Sequence, residues 1–182
     1  MGLSAVVIGG AKQAWDDLDA ALRLFTPDLV IATNNAGRDY AGQVHHWVSF
    51  HAELLPMWIE ARAAAGRPPA GHYWTVERRT PPKSPLQLWR VPNWGGSSGL
   101  VAVTVALSLQ CDRIVCCGTP LDMEAAHYDD PKPWRDAGNY RRAWMARRTQ
   151  LTAVRSMSGW TRQILGAPTG EWLHGQEAGA GA

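Results

Sequence analysis

The chain has 182 residues, of which 46% are hydrophobic and 19% charged, with a formal net charge of +2. That length suits one domain with a sizeable core, and the balance is that of an ordinary globular chain rather than a disordered or fibrous one. No apolar run approaches the ~18 residues of a membrane span, and Met1-Gly2-Leu3-Ser4 carries no basic leader, so the expectations are no membrane association, no signal peptide and a cytoplasmic location.

Ser4 to Ile8 reads as a first strand ending in the tight turn Gly9-Gly10. The turn lacks GxGxxG spacing, so it is not a dinucleotide fingerprint. Trp15, Leu18, Leu22 and Phe25 then recur at helical spacing, with Asp16, Asp17 and Asp19 early in the helix, where they suit its dipole. Pro27-Asp28 ends it. Leu29 to Thr33 is a second strand, and Asn34-Asn35-Ala36-Gly37 reads as the turn at its carboxyl end. The Asn34 and Asn35 amides suit both a turn and the reading of a base or sugar.

Val44 to Phe50 reads as a third strand, with His51 at its carboxyl end and a helix following whose apolar face is Leu54, Leu55, Trp58 and Ile59. His45 and His46 are neighbours on the strand and face opposite ways, so they do not make one metal site. His72 to Val76 is a fourth strand. Glu77 to Ser84 is charged and proline-rich and reads as an exposed loop that could fold over a ligand; Pro85 to Val91 is a fifth strand.

The chain is organised around what comes next. Gly95, Gly96, Ser97, Ser98 and Gly99 form a glycine-rich turn opening a nearly all-apolar helix, Leu100 to Leu109. Glycine lets the backbone approach a ligand closely. Ser97 or Ser98 can cap the helix, and the remaining free N–H groups make an anion site. Ile114 to Cys117, ending in Gly118, looks like a buried parallel strand. The three cysteines, Cys111, Cys116 and Cys117, read as buried reduced thiols, because neighbouring strand residues point to opposite faces and cannot pair.

Thr119 and Asp122 follow at another strand end. Met123 to Trp134, containing His127, Asp129 and Asp130, reads as a long binding loop or lid. Asn139 to Gln150 is a basic helix with Tyr140, Trp144 and Met145 facing inward and Arg141, Arg142 and Arg148 outward. Leu151 to Met157 is a last strand, and a mobile Gly/Ala tail follows His174. Together these elements predict one α/β domain over residues 1–174, Rossmann-like and doubly wound, with a mostly parallel sheet, helices on both faces, and ligands at the carboxyl edge of the strands. A basic C-terminal third favours an anionic partner. The ten tryptophans are compatible with a homo-oligomer and show no repeat.

The turns Gly9-Gly10 and Asn34-Asn35, the stretch from Gly96-Ser97-Ser98-Gly99 to Cys117-Gly118, and the ending Ser156-Met157-Ser158-Gly159 resemble one superfamily. It contains the bacterial family 42 sialyltransferases and proteins similar to archaeal hydroxymethylpterin pyrophosphokinase. Small phage-encoded members look similar around His46 to His51 and Leu54-Leu55-Pro56. The resemblance implies a Rossmann-like fold and a nucleotide or nucleotide-sugar ligand. It implies that Asn34 or Asn35 contacts the nucleotide, that Ser97, Ser98 and Gly99 hold a phosphate or sugar carboxylate, and that His127 in the later loop is the general base. Pyrophosphokinase-like members hold magnesium on acids, and Asp122, Asp129 and Asp130 are the acids near this edge.

Two functional readings stand foremost. The first is a transferase: Gly9, Gly10, Gly96, Ser97, Ser98, Gly99 and Thr119 with Asn34, Asn35, Asp122, Arg141 and Arg142 bind a phosphate-bearing ligand, His127 or His51 moves the proton, and magnesium takes part if a phosphoryl group is transferred. The second is a binder that sequesters a nucleotide signal through the same residues without chemistry. A nucleic-acid or structural role through the basic helix ranks third.

Overall fold

The computed structural model describes residues 2–77 and 86–175. Most of the expected loop Glu77 to Ser84, and the tail beyond residue 175, lie outside the described residues. Strands β1 (Leu3–Ile8), β2 (Leu29–Thr33), β3 (His46–Val48), β4 (His72–Val76), β5 (Leu88–Val91), β6 (Cys111–Cys117) and β9 (Val154–Ser156) form one parallel sheet. Its order is β5-β4-β3-β2-β1-β6-β9. The chain steps outward from β1 to β5, crosses back through α4 (Ser98–Ser108), and lays β6 on the other flank of β1. The α/β, doubly wound expectation is met, and the order reverses between β1 and β6.

Both faces of the sheet are covered, which is why the central strands are apolar without alternation. Ala5, Val7, Ile31, Ile114 and Cys116 join α4 and Trp144 in one core. Val6, Ile8, Val30, Val115 and Cys117 join Leu18 and Ala21 of α1 (Ala14–Leu24), with Leu55 and Trp58 of α3 (Leu55–Ala64), in the other. Cys116 and Cys117 thus lie on opposite faces, and all three cysteines are free and buried. Burial pushes the Cys116 thiol up to about 12, so it is an inert core group. Among the described residues no helix is long and apolar enough to cross a membrane.

Several local expectations are corrected. Asn34 to Gly37 is not a simple turn but opens the short helix α2 (Asn34–Asp39), with Asn34 left-handed at φ 44. Met123 to Trp134 is not wholly loop: β7 (Ala126–His127) and β8 (Asp130–Pro133) pair antiparallel, and Ala11 bridges to His127. The hairpin docks on α2, where Tyr128 Oη donates to Asp39 Oδ2 at 2.7 Å and Asn35 Nδ2 donates to Asp129. In α5 (Ala137–Arg147) Trp144 is fully buried, but Met145 is 46% exposed instead of facing inward. Leu22 of α1 is also exposed, its place in the core taken by Ala21. Small residues suffice where a helix lies close to the sheet.

His46 gives the fold a pH dependence. It is buried, stacks on His72 at 5.2 Å, and accepts from Trp74 Nε1 at 3.0 Å through Nδ1. Burial, then the nearby His72 and His45, lowers it from 6.5 to about 4. The unfolded chain therefore binds a proton between those values that the folded chain refuses. Stability is expected to fall by roughly 3 kcal/mol as pH drops from 6.5 to 4 through this group. His46→Gln keeps an acceptor for Trp74 and should flatten that slope in urea titrations run at several pH values; an unchanged slope would assign the acid sensitivity elsewhere.

Candidate functional site

The carboxyl ends of β1 and β6 meet at the switch point, where ligands of doubly wound sheets bind. Here Gly9 N donates to the Cys117 carbonyl at 2.8 Å, and the two turns touch. A Cβ on Gly9 would lie 2.3 Å from the Gly118 oxygen, and one on Gly118, at φ +65, would lie 2.5 Å from Ala14 Cβ. Only glycine permits this approach. Asp17 of α1 fastens the same corner: its Oδ2 accepts from Gly118 N at 2.8 Å and from Ser158 Oγ at 2.5 Å. Burial raises its pKa against those two bonds.

Above this corner lies a cavity of about 450 Å³, within the usual range of small-molecule sites. Gly9, Gly10, Gly118 and Thr119 line its floor. Thr33, Asn34, Phe50 and His51 form one wall, and the turn from Asn93 through Gly99 forms another. Leu121, His127, Trp134, Asp136 and Tyr140 complete the lining. Gly95 and Gly96 take φ of +76 and +75, which turns the chain into α4.

Neither serine caps α4. Ser97 has the extended backbone of an N-cap, but its Oγ accepts from Trp144 Nε1 at 3.4 Å instead of from the helix. Ser98 Oγ lies 3.4 Å from Phe50 N, which donates to it, and donates to Asn34 Oδ1 at 3.3 Å. The N–H groups of Ser98 and Gly99 thus have no acceptor among the described residues, and both residues line the cavity. Thr119, 4% exposed, is another lining residue; its Cγ2 methyl lies against Gly9 and Gly99, and its hydroxyl lies beside the buried Cys116 thiol.

Asn34 is the most constrained side chain of the site. Ser49 Oγ accepts from His51 N at 2.8 Å and donates to Asn34 Oδ1 at 2.7 Å. With Ser98 also donating to Oδ1, the amide is oriented and its Nδ2 hydrogens have no acceptor among the described residues. Trp47 Nε1 holds the Asn34 carbonyl at 2.9 Å.

The two histidines differ. His127 Nδ1 lies 3.2 Å from the Gly10 carbonyl. A carbonyl only accepts, so Nδ1 carries the hydrogen and the neutral ring keeps Nε2 as acceptor. Its ring also meets Trp134 edge-on at 5.3 Å. His51 is more exposed, with Nδ1 3.2 Å from Glu53 Oε1.

Four anticipated residues are not on the cavity wall. Asn35 is committed to Asp129. Asp122 accepts from Trp160 N at 2.9 Å and faces Arg141 at 3.7 Å. Arg141, expected to point outward, is half-buried: its Nε donates to the Leu121 carbonyl at 2.7 Å, and its guanidinium lies 5.1 Å from the Trp160 ring centre. Arg142 donates to Asn139. Nor do Asp122, Asp129 and Asp130 converge on a magnesium site: Asp129 is held by Asn35 and Arg38, and Asp130 turns back on Lys132 N. Among the described residues no group of three His, Cys, Asp or Glu side chains could hold a metal. The described residues do not fit magnesium.

Among the described residues no lining side chain is a lysine or arginine. The described groups that suit an anion here are the N–H groups, the Asn34 amide and the α4 dipole. Trp134 ends the stretch read as a binding loop, whereas Asp136 and Tyr140, at the start of α5, carried no local signal of a site. In comparisons with known proteins, no family model, curated protein or solved structure matches the chain.

Proposed function

We propose that the protein is a transferase-like enzyme that binds a nucleotide or nucleotide-sugar at the carboxyl edge of its sheet. The observation that carries this reading is one cavity uniting the Ser98 and Gly99 N–H groups and Asn34 Nδ2, none of which has an acceptor among the described residues. Donors fixed in place before the ligand arrives stabilise charge without reorganisation. His127, its Nδ1 tied to Gly10, offers Nε2 to the proton of an acceptor hydroxyl. The resemblance to family 42 sialyltransferases and pyrophosphokinase-like proteins leads to the same reading, as does an expected cytoplasmic setting with nucleotide pools.

The second reading is a binder that sequesters the same ligand intact. What favours it is that Asp122 and Asp129 are committed to partners inside the protein. A nucleic-acid role ranks below both, since Arg141 is used up in holding α5 to Trp160.

The test is a thermal-shift screen against nucleotides, nucleotide-sugars and cyclic nucleotides, with and without magnesium, followed by mass spectrometry of each hit. Consumption of the ligand supports the enzyme, and recovery of it intact with a range of acceptors supports the binder. His127→Ala is expected to lower turnover by about 100-fold or more while changing ligand affinity little. Undiminished turnover would remove His127 as the base.

A further inference from the structure

Ser49 follows β3, is 0% exposed and is not a lining residue of the cavity, yet it grips one that is. The His51 N–H can only donate, so Ser49 Oγ accepts from it at 2.8 Å. The hydroxyl then has a single hydrogen to give, and it goes to Asn34 Oδ1 at 2.7 Å. Turning the amide over would set Nδ2 against the hydroxyl. The Ser49 hydrogen would then be buried with no other hydrogen-bond partner among the described residues. Leaving a buried donor unmet costs more than the bond itself is worth, so one orientation of the amide is strongly preferred.

Ser98 repeats the pattern more loosely. Its Oγ accepts from Phe50 N at 3.4 Å and donates to the same Asn34 Oδ1 at 3.3 Å. Both distances exceed those of a well-formed bond to a hydroxyl, so Ser49 is the main tether. Two successive backbone N–H groups, of Phe50 and His51, thus each set one hydroxyl, and both hydroxyls converge on one amide oxygen. The junction joins the end of β3, the start of α2 and the start of α4. It consumes the acceptor of the Asn34 side chain and leaves Nδ2 for a ligand.

We propose that Ser49 is a positioning residue of the anion site, acting through Asn34. Its one hydrogen fixes the amide so that Asn34 meets a ligand as a donor: it takes a phosphate, carboxylate or carbonyl oxygen and refuses a hydroxyl or amino hydrogen. This rests on the anion-binding reading above and adds which ligand group Asn34 reads and what holds it ready.

The test is calorimetric titration of inorganic phosphate into the unmodified protein, Ser49→Ala, Asn34→Gly and the double variant. Glycine keeps the left-handed backbone at position 34, where φ is 44, and removes the amide. Asn34→Gly is expected to weaken phosphate binding about tenfold or more, the loss of one hydrogen bond to a charged group. Ser49→Ala leaves the amide in place but free to turn, and should weaken binding about fivefold. Added to Asn34→Gly, Ser49→Ala should change affinity by less than about 1.5-fold, because the group it positions is gone. A purely structural role would weaken both backgrounds alike, and that result overturns the proposal. Undiminished binding in Ser49→Ala overturns it too. Ser49→Cys keeps a small side chain with a poorer donor; it should weaken binding about two- to threefold, again only with Asn34 present, and serves if Ser49→Ala does not fold. Phosphate binding untouched by Asn34→Gly overturns the proposal and leaves an anion site held by other groups. Failure of phosphate to bind the unmodified protein removes the anion site, and this proposal with it.

Discussion

Asn34→Asp is expected to weaken binding of inorganic phosphate by about 100-fold or more, with little change in the unfolding midpoint. The substitution is nearly isosteric. Asn34 sits at φ 44, a region aspartate tolerates almost as well. Ser49 and Ser98 donate to Oδ1 at 2.7 and 3.3 Å, and a carboxylate accepts both bonds unchanged. Only the cavity-facing atom differs: a donor becomes a negatively charged oxygen. Two like charges about 4 Å apart repel by about 4 kcal/mol near a protein surface, and about 2.7 kcal/mol already corresponds to 100-fold. Calorimetric titration reads the effect directly. Unaltered affinity in a folded Asn34→Asp protein would place the anion away from α4.

The second large effect concerns stability. Arg62→Met is expected to cost about 3–5 kcal/mol in urea unfolding. Arg62 is 2% exposed, yet its fork satisfies four backbone carbonyls. Nε donates to Pro68 at 2.6 Å, Nη1 to Gly37 and Tyr40 at 2.8 and 2.6 Å, and Nη2 to Gly42 at 2.7 Å. These carbonyls belong to the end of α2, to the segment leading into β3, and to the chain leaving α3. Burial lowers the Arg62 pKa, but a guanidinium stays protonated, so the charge is held by carbonyl dipoles alone. Methionine fills part of the volume and leaves four acceptors unmet. Lysine restores the charge without the planar fork and should recover only part of the loss. A loss below about 1 kcal/mol for Arg62→Met would mean that water or a shifted loop takes over these bonds.

Arg62 also marks a limit of sequence reading. Inside an otherwise exposed helical stretch it looks like any surface arginine, because its partners come from segments on either side. The same limit separates the two walls of the cavity. Gly9-Gly10, Gly96 to Gly99 and Thr119 were legible because strand ends, glycine turns and an apolar helix start are local signals. Asp136 and Tyr140 were not, because their place depends on how α5 docks. Trp144, with its Nε1 at 3.4 Å from Ser97 Oγ, seats that helix against the turn before α4. Asn35 lies off the cavity wall for a related reason. In the short helix that replaces the expected turn it faces the hairpin, and Asp129 takes its amide.

By itself, then, the sequence determined the seven strands, the apolar central helix, the glycine turns at the strand ends and the opposite facing of Cys116 and Cys117. Each follows from periodicity and backbone preference within a few residues. The tertiary structure decided the strand order, and with it the switch point between β1 and β6. It also decided which polar groups are spent internally and which are left for a ligand. Asn34 and Ser98 lie 64 positions apart, yet they meet at 3.3 Å because α4 crosses the sheet back to β6. Which donors remain free was settled by that long-range packing, since a hydrogen bond depends on where its partner's backbone is carried and not on the spacing of residues along the chain.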